Sequence, residues 1–451
     1  MSIFERWGDG GGRSLFDQPS VLVPVPPPIS LTWNDEQLRA VDEILHWRFD
    51  YGSSRFLKLT GPAGVGKTAV TKELRRRLSG TRTAWSGMTG KAALRLRVAV
   101  GAKTTTAHSA IYHPPREVDN VEEAKIDLEF DAVKRGNEDD VLLVVDEASM
   151  IGPKFRADVD RSSYRKVLFV GDPYQLSPVL SRAEEAEIGG EDYSVFTDVC
   201  GPQLAKVMRN GGAVLAAATL VRESHQIPKE SGDVDGSRYD FVEVRAPEDV
   251  VAAAVEAWLG DREAHTLVTW RNDTRCLSNA IIRHRLGYSN ALPVVGEPLV
   301  VRKNIHKQGL MNGDIVRCEE IGPAGPTLAG ISTRWFVVRE EVLDKVVEVL
   351  SPVGDFSGVL PYVGLDVWRR ALREAKVRDV VPLTYAYCLT GHLCQGSQYR
   401  RVTVLSPGDF RSQHFGKVTR LPDGTVMPFS MRWLYTALSR AVRHASLIFS
   451  R

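Results

Sequence analysis

The sequence predicts an α/β fold built on a parallel sheet covered on both faces, and three observations carry that reading. Short apolar runs recur with polar residues at their C-terminal ends: Phe56–Thr60, Thr83–Ser86, Val141–Val145 and Val167–Val170. Fully buried parallel strands have this near-continuous apolar character. Stretches with helical spacing lie between them, and a Gly-rich loop, Gly61–Thr68, joins the first run to a helix beginning at about Lys67. Ligands of such sheets collect at the C-terminal strand ends. Gly61, Asp146 and Gly171 each follow a strand at that end, so their loops are expected to form one site.

The first element is an amphipathic helix over Asp35–Phe49. Before it, residues 1–30 contain GDGGG and VLVPVPPPIS, whose prolines favour extended, poorly packed backbone, and they read as a tail. A first α/β domain is expected over 31–200, with an insertion over 111–140. A second is expected over 201–289 and 384–451, with a strand at His265–Thr269. Between 290 and 383 the character turns to β: EPLVVRKN, GDIVRCEEI and TRWFVVRE are strand-like, and MNGD supplies an Asn-Gly turn. That stretch reads as a small β-barrel inserted into the second domain.

With 451 residues the chain has room for several domains. A stretch of about 18 apolar residues, the minimum for a membrane span, is absent, and Met1–Gln18 lacks the apolar core of a secretory signal. The five cysteines are odd in number and form no CxxC pair, which argues against a zinc site or disulfide framework and fits a reducing cytoplasm. The net charge of +2 decides nothing, but its distribution does: nine Lys/Arg against the single acid Glu73 lie between Lys72 and Lys103. Such a run serves a phosphate backbone; Arg75–Arg77 fit a solvated helix face equally well.

Gly61-Pro62-Ala63-Gly64-Val65-Gly66-Lys67-Thr68 matches G-x-x-x-x-G-K-S/T between a strand and a helix. The glycines let backbone N–H groups wrap phosphates at a helix N-terminus. Lys67 supplies charge to the β- and γ-phosphates and Thr68 a hydroxyl for Mg²⁺. Asp146, at the end of VLLVV, is placed to hold the same Mg²⁺, and Glu147 to polarise an attacking water. Gln175 in GDPYQ can report on the γ-phosphate, although alone it reads as a turn. Transition-state charge calls for cations, for which Arg209 and Arg440 are candidates.

Taken in order, these segments resemble superfamily 1 helicases of the RecD/Dda-like group, from about Leu31 to Phe449. LTWNDEQ resembles the segment whose glutamine, here Gln37, reads adenine. GMTGKAALRL, with Thr89, Gly90 and Lys91, is similar to the T-G-K-A-A segment that touches the DNA backbone. TTTAHSAIY, with Thr106 and His108, resembles the T-x-H-S segment that follows, though His108 alone reads as a packed or capping histidine. GDPYQLSPV promotes Gln175 to a sensor, and LAKVMRN makes Arg209 one arginine finger. LTYAYCLTGHLCQGSQYRRVTVL keeps Thr390, His392, Gln395, Gly396 and Ser397, with Gln395 and Gly396 on the nucleotide side. LYTALSRA makes Arg440 the second finger. Leu393 replaces a usual lysine and Asn210 a usual glutamine.

The resemblance implies two RecA-like motor domains with ATP and Mg²⁺ in the cleft between them, a small hairpin inserted in the first and an SH3-like barrel in the second. It implies a cytoplasmic, monomeric ATP-dependent helicase moving 5′ to 3′ on single-stranded DNA and acting at single-strand/duplex junctions. Single-strand binding proteins or replication, recombination and repair factors are the expected partners. Within the insertion, Pro115 and Phe130 are candidates for a strand-separating wedge; the blander reading of Phe130, as an anchor on the core, stands ahead of the wedge. A motor subunit of a larger recombination nuclease is an alternative. A single-strand binding protein with an inactive ATP site is another, against which the intact Lys67, Asp146, Glu147, Gln175, Arg209 and Arg440 argue.

Overall fold

The computed structural model describes residues 33–112, 140–178, 180, 182–188, 193–207, 212–302, 310–328, 330–340, 344–356, 380–408, 415 and 417–450. The tail over 1–30, the wedge candidates Pro115 and Phe130, the finger candidate Arg209 and the neighbouring Asn210 lie outside the described residues.

Helix α1 (Asp35–Phe49) buries Gln37, Ala40, Val41, Ile44 and Trp47, a 3–4-residue spacing that sets one face on the core. There follow β1 (Phe56–Thr60), α2 (Lys67–Arg77), β2 (Thr83–Gly87), α3 (Gly90–Val100), β3 (Thr104–Thr106), α4 (Ala107–Ile111), β4 (Leu142–Asp146), α5 (Pro153–Arg161), β5 (Lys166–Gly171) and α6 (Arg182–Glu187). The five strands form one sheet in the order β1-β5-β4-β2-β3, and every pair is parallel. Leu142–Val145 and Val167–Val170 are buried on both faces, as the apolar runs predict. Beyond β5 the segment around Pro202 lies along β1, with Thr60 N–H donating to Pro202 O (3.0 Å) and Leu204 N–H to Thr60 O (2.8 Å).

The second lobe opens with α7 (Ala213–Ser224), the hairpin β6 (Gly232–Val234) and β7 (Ser237–Val244), then α8 (Pro247–Gly260), β8 (His265–Thr269) and α9 (Asn272–Arg285). An antiparallel unit interrupts it: β9 (Pro298–Val301), β10 (Ile315–Ala324), β11 (Thr333–Glu340), β12 (Lys345–Pro352) and β13 (Leu383–Tyr385), paired β12-β11-β10-β9-β13. Its edges approach each other, because Val381 N–H donates to Leu350 O at 2.8 Å. The Asn-Gly turn forms as expected, with Gly313 at φ 91° and Asp314 Oδ2 accepting from Met311 N–H at 2.6 Å.

The lobe resumes with β14 (Cys388–Thr390), α10 (Gly391–Cys394), β15 (Tyr399–Pro407), the hairpin β16 (Val418–Arg420) and β17 (Val426–Pro428), α11 (Phe429–Leu438) and β18 (Ala441–Ser450). Its sheet runs β14-β8-β15-β18-β7-β6, parallel except for the β6–β7 hairpin. Alternation sorts its two faces: Val402, Val404, Ala445 and Leu447 share a core with α7 and α11, while Leu405 and Ile448 share one with α8. Among the described residues no helix is long and apolar enough to cross a membrane.

The β unit is fastened to α9 by a buried ion pair. Arg283 Nε lies 2.7 Å from Glu297 Oε1, with the Glu297 side chain fully buried, and Arg283 also donates to the carbonyls of Asn290 and Leu292, each at 2.7 Å. Removing one partner of such a pair costs about 3–5 kcal/mol, since the other charge stays buried.

Candidate nucleotide site at the junction of two lobes

The Gly-rich loop links β1 to α2, so the unpaired N–H groups of the first helical turn face it. Gly64 and Gly66 adopt φ of 88° and 91°, which a side chain disfavours. A Cβ on Gly66 would also come within 2.3 Å of Gln37 Nε2. Gln37 is buried and donates Nε2 to Val65 O (3.0 Å), so the residue expected to read adenine also braces the loop. Lys67 Nζ donates to Gly61 O (2.6 Å) and Pro62 O (2.9 Å). Burial pushes its pKa below the usual lysine range; the carboxylates of Asp172, Glu147 and Asp146 oppose this, and the Arg440 charge adds to it. The side chain of Thr68, the other expected Mg²⁺ ligand, is exposed to solvent.

Asp146 ends β4 and accepts the Glu147 N–H on Oδ1 at 2.9 Å. Burial and the Glu147 charge raise its carboxyl to about 6, against the opposing pull of Arg95, the Glu147 N–H and Lys67. Glu147 sits at φ 55°, a left-handed conformation that costs a non-glycine residue about 1–3 kcal/mol and recurs at functional sites. Its Oε1 lies 4.0 Å from Arg95 Nη1.

Beyond β5 the chain turns through Asp172–Leu176, and α11 of the second lobe grips this turn. Arg432 donates Nε to Gln175 O (2.5 Å) and Nη2 to Pro173 O (2.9 Å). Thr436 Oγ1 accepts from Leu176 N–H (3.0 Å). Tyr435 donates its hydroxyl to Asp172 Oδ2 (2.5 Å) and accepts the N–H of Ala63 in the Gly-rich loop (3.3 Å). The Gln175 side chain is buried, and its Oε1 has no hydrogen-bond partner among the described residues. Arg440 follows α11, also buried, with Nε on Thr436 O (3.2 Å) and Nη2 on Ser439 Oγ (3.1 Å). A cavity of about 170 Å³ opens here, lined by Pro62, Ala63 and Gly64 from one lobe and Arg222, Tyr435 and Ser439 from the other. Val207 and Gly212, which flank the Arg209 segment, line it too.

Of the residues expected to touch nucleic acid, Gly90, Lys91 and Ser397 make contacts across the junction, whereas the contacts of Thr106 and His108 lie within the first lobe and that of His392 within the second. Thr89 and Thr106 cap α3 and α4, accepting the N–H of Ala92 (3.1 Å) and of Ser109 (3.2 Å). Gly90 packs so closely on Met311 of the β unit that a Cβ would come within 1.9 Å of Met311 Cγ. Lys91 Nζ donates to Ser397 Oγ at 2.9 Å, bringing two of these residues together across the lobes. Thr390 ends β14, buried; the His392 ring lies 5.6 Å from Trp270, and the His108 ring packs 4.7 Å from Phe155. Gln395 and Gly396 lie at the lobe junction: Gln395 Nε2 donates to Leu176 O (3.2 Å), and Gly396 O accepts from Arg95 Nη1 (2.8 Å).

Four site residues escaped the sequence reading: Asp172, Arg432, Tyr435 and Arg95. The signal for two of them was present, since Arg432, Tyr435 and Thr436 fall three and four apart and so share one helix face.

Fold and site together define an α/β protein whose P-loop is closed over by a second α/β lobe. Residues 32–233 match the family model described as an AAA domain. None of the curated proteins matches the chain. Among solved structures, the chain is similar to Pif1 helicases at forked double-stranded DNA (16% identity, 92% of each chain covered, TM-score 0.49). It is similar to Bacteroides Pif1 bound to single-stranded DNA (18% identity, 92% of this chain and 91% of that one, TM-score 0.45). It is also similar to Pif1 helicase from Candida albicans (15% identity, 92% and 94% covered, TM-score 0.49).

Proposed function

We propose that the chain is an ATP-driven motor on single-stranded DNA, a helicase that opens duplexes while moving 5′ to 3′. The observation that supports the reading is that the same two lobes meet both at the P-loop and at residues the motifs assign to the strand. Tyr435 and Arg440 of the second lobe reach the P-loop and the surroundings of Lys67, and Lys91 of the first lobe is joined to Ser397 of the second. A change in how the lobes meet at the nucleotide therefore changes how they meet at the strand, which is what a ratchet needs.

In this reading the P-loop N–H groups and Lys67 hold the β- and γ-phosphates. Thr68 and Asp146 fit a hard divalent cation, one an exposed hydroxyl at the head of α2 and the other a carboxylate at a strand end. Mg²⁺ held there would neutralise charge building on the phosphate oxygens. Glu147 orients and polarises the attacking water, and Gln175 Oε1, which has no partner among the described residues, is a second acceptor for it. Arg440 stabilises the charge of the transition state from the second lobe, and Arg209 is the other finger that the motif set implies. Thr89, Gly90, Lys91, Thr106, His108, Thr390, His392 and Ser397 follow the strand backbone, with little sequence preference. Polarity rests on the resemblance of the motif set.

The test is ATP-dependent unwinding of duplexes bearing only a 5′ or only a 3′ single-stranded tail. The 5′-tailed duplex is expected to open. A preference for the 3′ tail would reverse the polarity, and failure on both together with DNA-independent ATPase would end the motor reading.

A further inference from the structure

We propose that Tyr435 is a positioning residue that ties the P-loop to the second lobe, its hydroxyl joining the Ala63 N–H to the Asp172 carboxylate so that strand affinity follows the nucleotide. The inference rests on the motor reading above and deepens it.

Three chain segments meet on one phenol. The hydroxyl has a single proton, and Asp172 Oδ2 at 2.5 Å takes it; the lone pairs then face the Ala63 N–H at 3.3 Å. Tyr435 and Asp172 are both buried, at 2% and 0% exposure, so water does not compete for these groups. Asp172 is also bound on its own side, Oδ1 accepting from Tyr174 N–H at 3.1 Å, which fixes the turn that carries Gln175. The carboxylate faces Lys67 as well, as the leading charge that favours its ammonium form.

The other grips of α11 end on the turn after β5: Arg432 on Pro173 O and Gln175 O, Thr436 on Leu176 N–H. Tyr435 extends the grip to the P-loop, through the Ala63 N–H. Its contact there, Ala63, follows Pro62, whose carbonyl holds Lys67 Nζ. A Lys67 that turns toward a phosphate therefore alters the same short stretch of loop that holds the phenol. Arg440 lies two residues beyond the end of α11 at Leu438 and donates Nε back to Thr436 O, so a shift of α11 moves the finger candidate as well.

A packing role predicts something different, because Tyr435→Phe keeps the ring and removes only the hydroxyl. The test uses the full chain and a labelled oligo-dT strand, with Kd measured in Mg·ADP and in Mg with a non-hydrolysable ATP analogue. A hydrogen bond to a charged group biases a two-state equilibrium by roughly tenfold or more. Y435F is expected to shrink the ratio of the two Kd values by that factor, or to unity where the wild-type ratio is smaller, and to spend more ATP per base pair opened. Asp172→Asn, which keeps the phenol but removes the charge, should move the ratio the same way and reports even where Y435F folds poorly. Thr436→Val removes a grip that does not reach the P-loop and should keep the wild-type ratio. A wild-type ratio in Y435F, or an equal collapse in T436V, overturns the role assigned to Tyr435. A wild-type protein without DNA-stimulated ATPase fails the motor reading and this role with it, whereas an active wild type with unaltered Y435F fails only this role.

Discussion

Replacing Arg432 by methionine is expected to loosen the junction of the lobes and slow turnover together. Arg432 is 1% exposed, and its guanidinium donates to Gln175 O at 2.5 Å and Pro173 O at 2.9 Å. Hydrogen bonds to a charged group contribute about 1.5–3 kcal/mol each, so two contribute roughly 3–6 kcal/mol. Methionine fills much of the same volume and no longer carries a charge to be desolvated, which returns part of that sum. A net loss of roughly 2–4 kcal/mol remains, because the buried Gln175 carbonyl and the half-buried Pro173 carbonyl lose a donor. The turn those carbonyls belong to carries Gln175 and Asp172, so catalysis suffers as well as stability. Thermal unfolding should show a midpoint several degrees lower, at roughly 2–4 °C per kcal/mol for a domain of ordinary size. Steady-state ATPase should show a lower kcat with little change in the KM for ATP, since the P-loop itself is untouched. Arg432→Lys should fall between, as a point charge cannot serve both carbonyls with a planar fork. An R432M protein with wild-type midpoint and wild-type kcat would refute the argument that this clasp organises the site.

Lys67→Ala and Glu147→Gln should each abolish strand-stimulated ATPase while fluorescence anisotropy still shows single-strand binding; near-normal turnover in either would misassign the site. Arg440→Ala, and equally Arg209→Ala, should lower turnover by roughly a thousandfold, the order found for arginine fingers, with a smaller change in nucleotide affinity. A large rise in Kd at unchanged turnover would count against that role. His265 donates Nδ1–H to Asp261 O and accepts from Thr403 Oγ1 on Nε2, both at 2.8 Å, and burial lowers its pKa from 6.5 to about 4. Between those values the unfolded chain binds a proton that the folded one refuses, so stability should fall as pH drops from 6.5 toward 4, by up to roughly 3 kcal/mol. Unfolding midpoints from pH 7 to 4.5 should fall less steeply in His265→Gln than in the wild type, and parallel curves would exclude His265 as the source.

What was legible in the sequence is what is local. The P-loop, the Asp146-Glu147 strand end and the helix over Asp35–Phe49 are written in adjacent residues, and the structure forms each where the pattern predicts. What was not legible lies in contacts between distant segments. Ala63 meets Tyr435 across 372 positions, Arg95 meets Gly396 across 301, and Lys91 meets Ser397 across 306. Periodicity places such residues on the right face but does not name their partners. Strand β12 escaped for another reason: its first half, Lys345–Glu348, is largely exposed on a sheet edge, and only its second half is buried as a core strand would be. The partners themselves follow a physical rule. Buried donors and acceptors must be satisfied, and at a junction of lobes the nearest available groups belong to the opposite lobe or to the loop itself. Lys91 finds Ser397, Lys67 finds the carbonyls of Gly61 and Pro62, and Gln37 finds Val65 O. Each of these donors is also one that the motifs assign to a phosphate or a base. The bond of Lys91 to Ser397 is the one of these that spans the lobes. A strand phosphate that drew Lys91 away from Ser397 would break a hydrogen bond between the lobes, and the sequence motif names that donor without revealing its partner.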